Sequence, residues 1–289
     1  MLLRCFLGLF AALFLAACDT KPETTRSAPA LWEVREGPQI KGWVFGTVHT
    51  LPRTTAWRTP VWEDAFARSE RLVLEIADPG DGKALHRIFT ELSQSPGHPP
   101  LDERVSQAHR PALSHLTARA GLQAEDMAKL ESWGAALVLA HAARRATRKD
   151  GVDQELARMA GGRPIIELEG VRGQLGLFDA LPEAQQRALL AAVLAGADTA
   201  DEDAMHLFEL WRTGAMEKLD AETYTGILAD PALRKILLVD RNHRWAGQAD
   251  RLLRGDGPIF LAAGAAHMAG PEGLPALLAQ RGWTVVRIQ

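Results

Sequence analysis

The chain is poor in the features that mark several large protein classes. It has two cysteines in 289 residues, both within the first eighteen. That excludes a disulfide framework and a cysteine-rich zinc site. Its net charge is only −3, with 33 basic against 36 acidic residues. So small and slightly acidic a balance argues against a general nucleic-acid binder. It carries no P-loop, no G-x-G-x-x-G, no G-x-S-x-G elbow and no H-E-x-x-H. No low-complexity segment and no solenoid period appears. What is present is ordinary for a folded domain: 47% hydrophobic and 24% charged residues.

The first segment reads as an address. Arg4 precedes an uncharged apolar run from Cys5 to Ala17, too short to span a bilayer and suited to a signal-peptide core. The run ends in Leu15-Ala16-Ala17-Cys18, which resembles the bacterial lipobox. Residues 1–17 are therefore expected to be a lipoprotein signal peptide, and Cys18 the lipidated N-terminus. A plain secretory peptide with an incidental Cys18 is the other reading. Residues 18–30 form a polar, Pro-containing tether. The expected location is the cell envelope, at the periplasmic face of a bacterial membrane, held there by acyl chains rather than by a spanning helix. Asp19 favours the inner membrane, by resemblance to Gram-negative lipoproteins.

Residues 31–289 are expected to form one α/β domain. Leu31–Arg35 and Ile40–Phe45 read as a hairpin across Gly37-Pro38, and Arg71–Ala77 as a strand buried on both faces. From about 82 to 149 the pattern is helical, a helical insertion between strands. Arg163–Glu169 returns to strand character, and a second helical block covers 182–228. Asp230-Pro231 opens a long helix to about Leu253, with Asp as N-cap and Pro in the first turn. Ile259–Ala263 is a strand, Leu274–Gln280 a helix and Trp283–Ile288 a closing strand. With strands at both ends of the chain, the expected fold is a mixed sheet assembled from N- and C-terminal strands.

Chemistry is suggested by a near-repeat. Gly46-Thr47-Val48-His49 and Gly264-Ala265-Ala266-His267 each follow an apolar strand. Gly46 and Gly264 permit a sharp turn or a close approach, and a histidine three residues later emerges where α/β folds build sites. Imidazole is both a metal ligand and an acid–base group near neutral pH. Glu75 sits in an apolar strand, where a carboxylate needs a partner. Glu167 and Glu169 would share one strand face if their strand continues. Asp153 stands at a helix start, where it could cap the helix or reach a site. Arg241 lies in the stripe Leu233, Leu237, Arg241, Trp245 and needs a carboxylate or a bound anion unless it snorkels to water. Asn242 is its neighbour. The histidines at 86, 98, 109, 115, 141, 206 and 243 share no spacing and read as surface or structural residues.

Taken in order, these stretches resemble the TraB/PrgY/GumN family, which includes the Tiki-type metalloproteases. The resemblance runs through Leu31-Trp32-Glu33-Val34, Gly46 to Pro52, Leu72 to Ile76, Gly151-Val152-Asp153, Leu168-Glu169, Arg241-Asn242 with Trp245-Ala246, and Gly264 to Leu274. Gln174 also fits the family pattern, and Met268 replaces the usual Leu. The resemblance implies that His49, Glu75 and His267 form a hydrolytic centre around a divalent metal, with Mn, Co or Zn as candidates. Glu75 would be ligand or general base, and Arg241, Asn242, Asp153, Glu169 and Gln174 would bind substrate or support the site. The implied function is a lipid-anchored, metal-dependent, peptidase-like hydrolase acting on a peptide or small molecule. The alternative is a non-catalytic signalling or binding lipoprotein whose cavity holds haem, a peptide or another small ligand.

Overall fold

The structure, a computed structural model, describes residues 27–52, 55–77, 82–144 and 149–289. The leader, Cys18 and tether residues 19–26 lie outside the described residues. The elements run in chain order β1 (Leu31–Glu36), β2 (Gln39–Thr47), β3 (Thr50–Leu51), α1 (Pro60–Ala67), β4 (Arg71–Leu74), α2 (Gly82–Ser93), α3 (Arg110–Ala120), α4 (Ala124–Ala128) and α5 (Ser132–Ala143). There follow β5 (Lys149–Asp150), α6 (Val152–Arg158), β6 (Ile165–Glu167), α7 (Gly170–Asp179), α8 (Glu183–Ala195), α9 (Ala200–Arg212) and α10 (Met216–Glu222). The chain closes with α11 (Pro231–Arg234), α12 (Asp240–Leu253), β7 (Ile259–Gly264), α13 (Leu274–Gln280) and β8 (Thr284–Arg287).

The fold is α/β. Six strands form one mixed sheet in the order β6-β4-β7-β2-β1-β8, so strands from both ends of the chain meet. β6, β4, β7 and β2 are mutually parallel, while β1 runs antiparallel to both β2 and β8. The period-2 alternation of the strands divides the core. Trp43, Phe45, Leu72, Leu74 and Phe260 face an aromatic layer with Trp57, Trp62 and Phe66. Val44, Val73 and Leu261 face α12 and α13 through Trp245, Leu253 and Leu277. A separate helical core joins α3, α5 and α8 through Leu116, Trp133, Leu139 and Leu190.

Parallel pairing places the carboxyl ends of β2, β7 and β4 side by side. Thr47 lies opposite Gly264 and Leu74 opposite Ala262. The residues that follow these strands therefore emerge along one edge of the sheet. The long C-terminal helix begins as its sequence implies: the Asp230 carboxylate accepts from the N–H groups of Ala232 and Leu233 at 2.8 and 3.0 Å. It is interrupted by a wide π turn over Lys235–Val239, in which Asp240 N–H reaches back to Lys235 O. Such a turn is frequent at functional sites because it re-aims the side chains that follow.

Two local expectations change. The β6 strand ends at Glu167, and Glu169, the residue before α7, has left strand geometry with ψ −23°. Glu167 and Glu169 thus point to different partners rather than sharing a face. Helix α7 itself is masked in the sequence by Gly170, Gly173 and Gly176, each costly within a helix.

Candidate functional site

His49, Glu75, Gln174, Arg241 and His267 all line one cavity of about 520 Å³ at the carboxyl edge of the parallel strands. Its remaining walls are mostly apolar, with Leu175, Phe178, Phe208 and Leu237 among them. A concave, largely apolar cavity with a few convergent polar groups is the usual form of a small-molecule site.

On one side stands a histidine–carboxylate pair. His49 Nδ1 lies 3.1 Å from Asp153 Oδ2, and Thr47 Oγ1 donates to Asp153 Oδ1 at 2.6 Å. Asp153 is in the first turn of α6, but its carboxylate is turned to β2 and His49 rather than capping the helix. The position of α6 depends on Gly151. A Cβ there would fall 2.4 Å from the His49 carbonyl carbon, and Val152 N–H donates to Val48 O at 2.9 Å. The bond to Asp153, with the Asp153 and Glu75 charges, raises the His49 pKa above its ordinary value. Burial pushes the Asp153 carboxyl up, but the His49 bond and charge and the Thr47 bond hold it below its ordinary value. Within these walls 69% of the His49 side chain remains accessible, and the surface it offers faces the cavity.

On the other side is a buried charged cluster built around Arg241. Its Nη2 donates to Glu75 Oε2 at 2.9 Å and to Glu169 Oε1 at 2.5 Å. Its Nε reaches Glu169 Oε2 at 3.3 Å, and its Nη1 reaches Leu237 O at 3.0 Å and His267 Nε2 at 3.3 Å. A guanidinium has five N–H groups, so all five are used within the protein. Gln174 Nε2 donates to Glu75 Oε2 at 3.2 Å, and Gly264 N–H donates to Glu75 Oε1 at 2.7 Å. The guanidinium also stacks 4.4 Å from the Trp245 ring, which in turn lies 4.5 Å from the His267 ring.

The glycine positions of the two motifs have physical causes. A Cβ on Gly46 would approach Ala265 Cα to 3.1 Å, which keeps the Ala265–Met268 turn against β2. At Gly264 the N–H holds Glu75, and a Cβ would meet that same carboxylate at 3.4 Å.

Asn242 assigns the protons on His267. Asn242 Nδ2 donates to Glu272 O at 2.7 Å, so its Oδ1 is the acceptor for His267 Nδ1 at 2.5 Å. The proton sits on Nδ1, and the Nε2 lone pair faces Arg241. Burial, followed by the Arg241 charge, pushes the His267 pKa well below its ordinary value, which keeps the ring neutral.

This arrangement bears on the divalent metal implied by the resemblance. The His267 nitrogen that would bind a metal faces a guanidinium, and Glu75 is engaged by Arg241, Gln174 and Gly264. Among the described residues no group of three or more His, Cys, Asp or Glu side chains is placed to hold a metal ion. As arranged here, these residues do not fit a divalent ion.

The structure thus brings Gly46, His49, Glu75, Asp153, Glu169, Gln174, Arg241, Asn242, Gly264 and His267 to one edge of the sheet. Glu167 goes elsewhere, accepting from Ala77 N–H at 2.7 Å. Thr47 and the carbonyls of Leu237 and Glu272 were not foreseen. Thr47 lies inside the first glycine–histidine motif, but backbone carbonyls leave no trace in a sequence.

A histidine–carboxylate pair and a buried guanidinium–carboxylate cluster around one cavity, at the carboxyl edge of parallel strands, define an α/β protein with a candidate site. The chain belongs to the TraB/PrgY/gumN family, whose model matches residues 30–287. It is similar to the uncharacterized protein YbaP of Escherichia coli, at 26% identity over 197 residues, covering 65% of this chain and 72% of that one. The same match extends to YbaP of Shigella flexneri. An uncharacterized protein of Treponema pallidum is 23% identical over 273 residues, covering 86% of this chain and 80% of its own. No solved structure matches the chain.

Proposed function

We propose that this chain is a hydrolase whose acid–base group is His49. The observation that carries the reading is the Asp153–His49 pair on the wall of the 520 Å³ cavity. Asp153 binds Nδ1, fixes the tautomer and makes Nε2 the basic nitrogen. His49 Nε2 would take a proton from a water that attacks an ester or amide carbonyl, then return it to the leaving group. Glu75 and Arg241 act as supports, because their polar atoms are already engaged by one another and by neighbours. Arg241 thus positions the floor of the site rather than meeting the substrate's developing charge directly.

The metal-dependent form of this reading would need Arg241 to move away from His267 and Glu75. The test uses protein purified without a metal-affinity tag. Hydrolysis of a panel of ester and amide substrates is measured with and without chelator, alongside metal content. Turnover that survives chelation and is abolished in His49→Ala supports the proposal. Turnover that disappears with chelator and returns with Mn, Co or Zn overturns the metal-independent form in favour of the metal centre.

One observation favours a second, binding-only reading: the Arg241 N–H groups are all spent inside the protein, as in a structural cluster. Stoichiometric capture of a peptide, haem or small ligand without turnover would support it. The envelope location is proposed on the Cys18 sequence alone. Among the described residues no helix is long and apolar enough to cross a membrane. Labelling by a radioactive or alkynyl fatty acid, lost in Cys18→Ser, tests the anchor.

A further inference from the structure

A second compartment, of about 820 Å³, adjoins the first between α2, the end of α3 and α5. It exists because α2 meets the helical core through Ile88, Phe89 and Leu92, while Leu85, in its first turn, is 40% exposed. The two compartments meet at Leu137, Arg144 and Leu175, which line both. The outer walls are apolar, with Phe89, Leu122 and Val138 beside those shared leucines. Their titratable side chains are all basic types: His86, Arg119, His141 and Arg144. Among the described lining residues there is no carboxylate. Arg119 is fixed at the rim by its bond to Ala143 O at 3.3 Å.

Apolar walls whose described residues include no carboxylate select two properties at once. The walls favour an aliphatic chain over a polar one. The basic side chains favour an anion over a neutral or cationic group. We propose that the outer compartment binds the chain of a single-chain amphipathic anion, with its head group at the Arg144 boundary facing His49. The proposal deepens the hydrolase reading by naming the acid product it would release: water adds to the carbonyl of a single-chain acyl ester or amide, the alcohol or amine leaves with the proton from His49, and the fatty acid anion remains in the compartment. It rests on that reading only for what happens after binding. A free fatty acid and a single-chain alkyl phosphate share this chemistry.

Calorimetry with octanoate, decanoate, decyl phosphate and decanol tests it, all below their aggregation concentrations. Decanoate is expected to bind one per chain, about fourfold tighter for each methylene beyond octanoate, and at least fivefold tighter than decanol. Decyl phosphate against decanoate separates the two sources of the anion. Arg144→Glu is expected to remove the preference for decanoate over decanol, and Val138→Trp to weaken both by filling the chain's path. Thermal melting of each variant confirms that it is folded. Decanoate binding is read without turnover, so a failed hydrolase reading leaves this result readable. Equal affinity for decanoate and decanol, no dependence on chain length, or an unaltered Val138→Trp would each overturn the proposal.

Discussion

Replacing Arg241 by methionine tests the central cluster most directly. Methionine keeps most of the length and apolar stem but removes the charge and five N–H groups. The Arg241 side chain is 10% exposed, and its two carboxylate partners are each 9% exposed. Their interaction is therefore screened far less than a surface pair. Breaking such a buried pair leaves uncompensated carboxylates and costs about 3–5 kcal/mol. In a domain of this size each kcal/mol corresponds to about 2–4 °C in Tm, so a fall of roughly 6–20 °C is expected. Glu169→Gln combined with Arg241→Met should recover part of that loss, because one of the stranded charges has gone. The coupling is read from a double-mutant cycle by urea unfolding, followed through tryptophan fluorescence. A loss below about 1 kcal/mol, or strictly additive single variants, would refute the claim that Arg241 holds the two carboxylates in place.

The two motif histidines should titrate in opposite directions. By NMR, His49 should become protonated above the ordinary histidine pKa of 6.5, and His267 only well below it. A reversed order would sink the assigned hydrogen bonding. The linkage has two signs. Stability from His49 is present at pH below 6.5 and is lost as pH rises through its raised pKa. Stability from neutral His267 is present above 6.5 and is lost as pH falls toward its depressed pKa. Asp153→Asn should lower the His49 pKa and shift the acid limb of any hydrolysis toward lower pH; an unmoved limb would assign it to another group. Gly151→Ala should cost about 1–3 kcal/mol by overpacking against the His49 backbone, and thermal melting would expose the error if its Tm matched the wild type.

Much of the sheet could be read from local pattern because its strands carry simple signals. The Gly37-Pro38 punctuation and the apolar runs of β2, β4 and β7 mark where they lie. The helix breaks were less legible. Gly170, Gly173 and Gly176 suppress the propensity of α7, and the π turn at Lys235–Val239 leaves the apolar stripe of the long helix unbroken. Tertiary packing decides both.

For the site, the glycine–histidine repeat pointed to the sheet edge where the candidate residues gather but left the roles open. Both histidines follow a strand, glycine and two residues, yet the fold makes them unlike. Past the end of β2, His49 meets a carboxylate on α6 and opens onto the cavity. Past β7, His267 meets an amide and a guanidinium on α12 and is buried. An identical spacing therefore produces a basic imidazole and a neutral one, through partners more than a hundred residues away from His49 and about twenty-five from His267. Spacing alone suggests two equivalent metal ligands. Hydrogen-bond partners instead divide the pair into one imidazole available to a reacting group and one that fixes the cluster behind it.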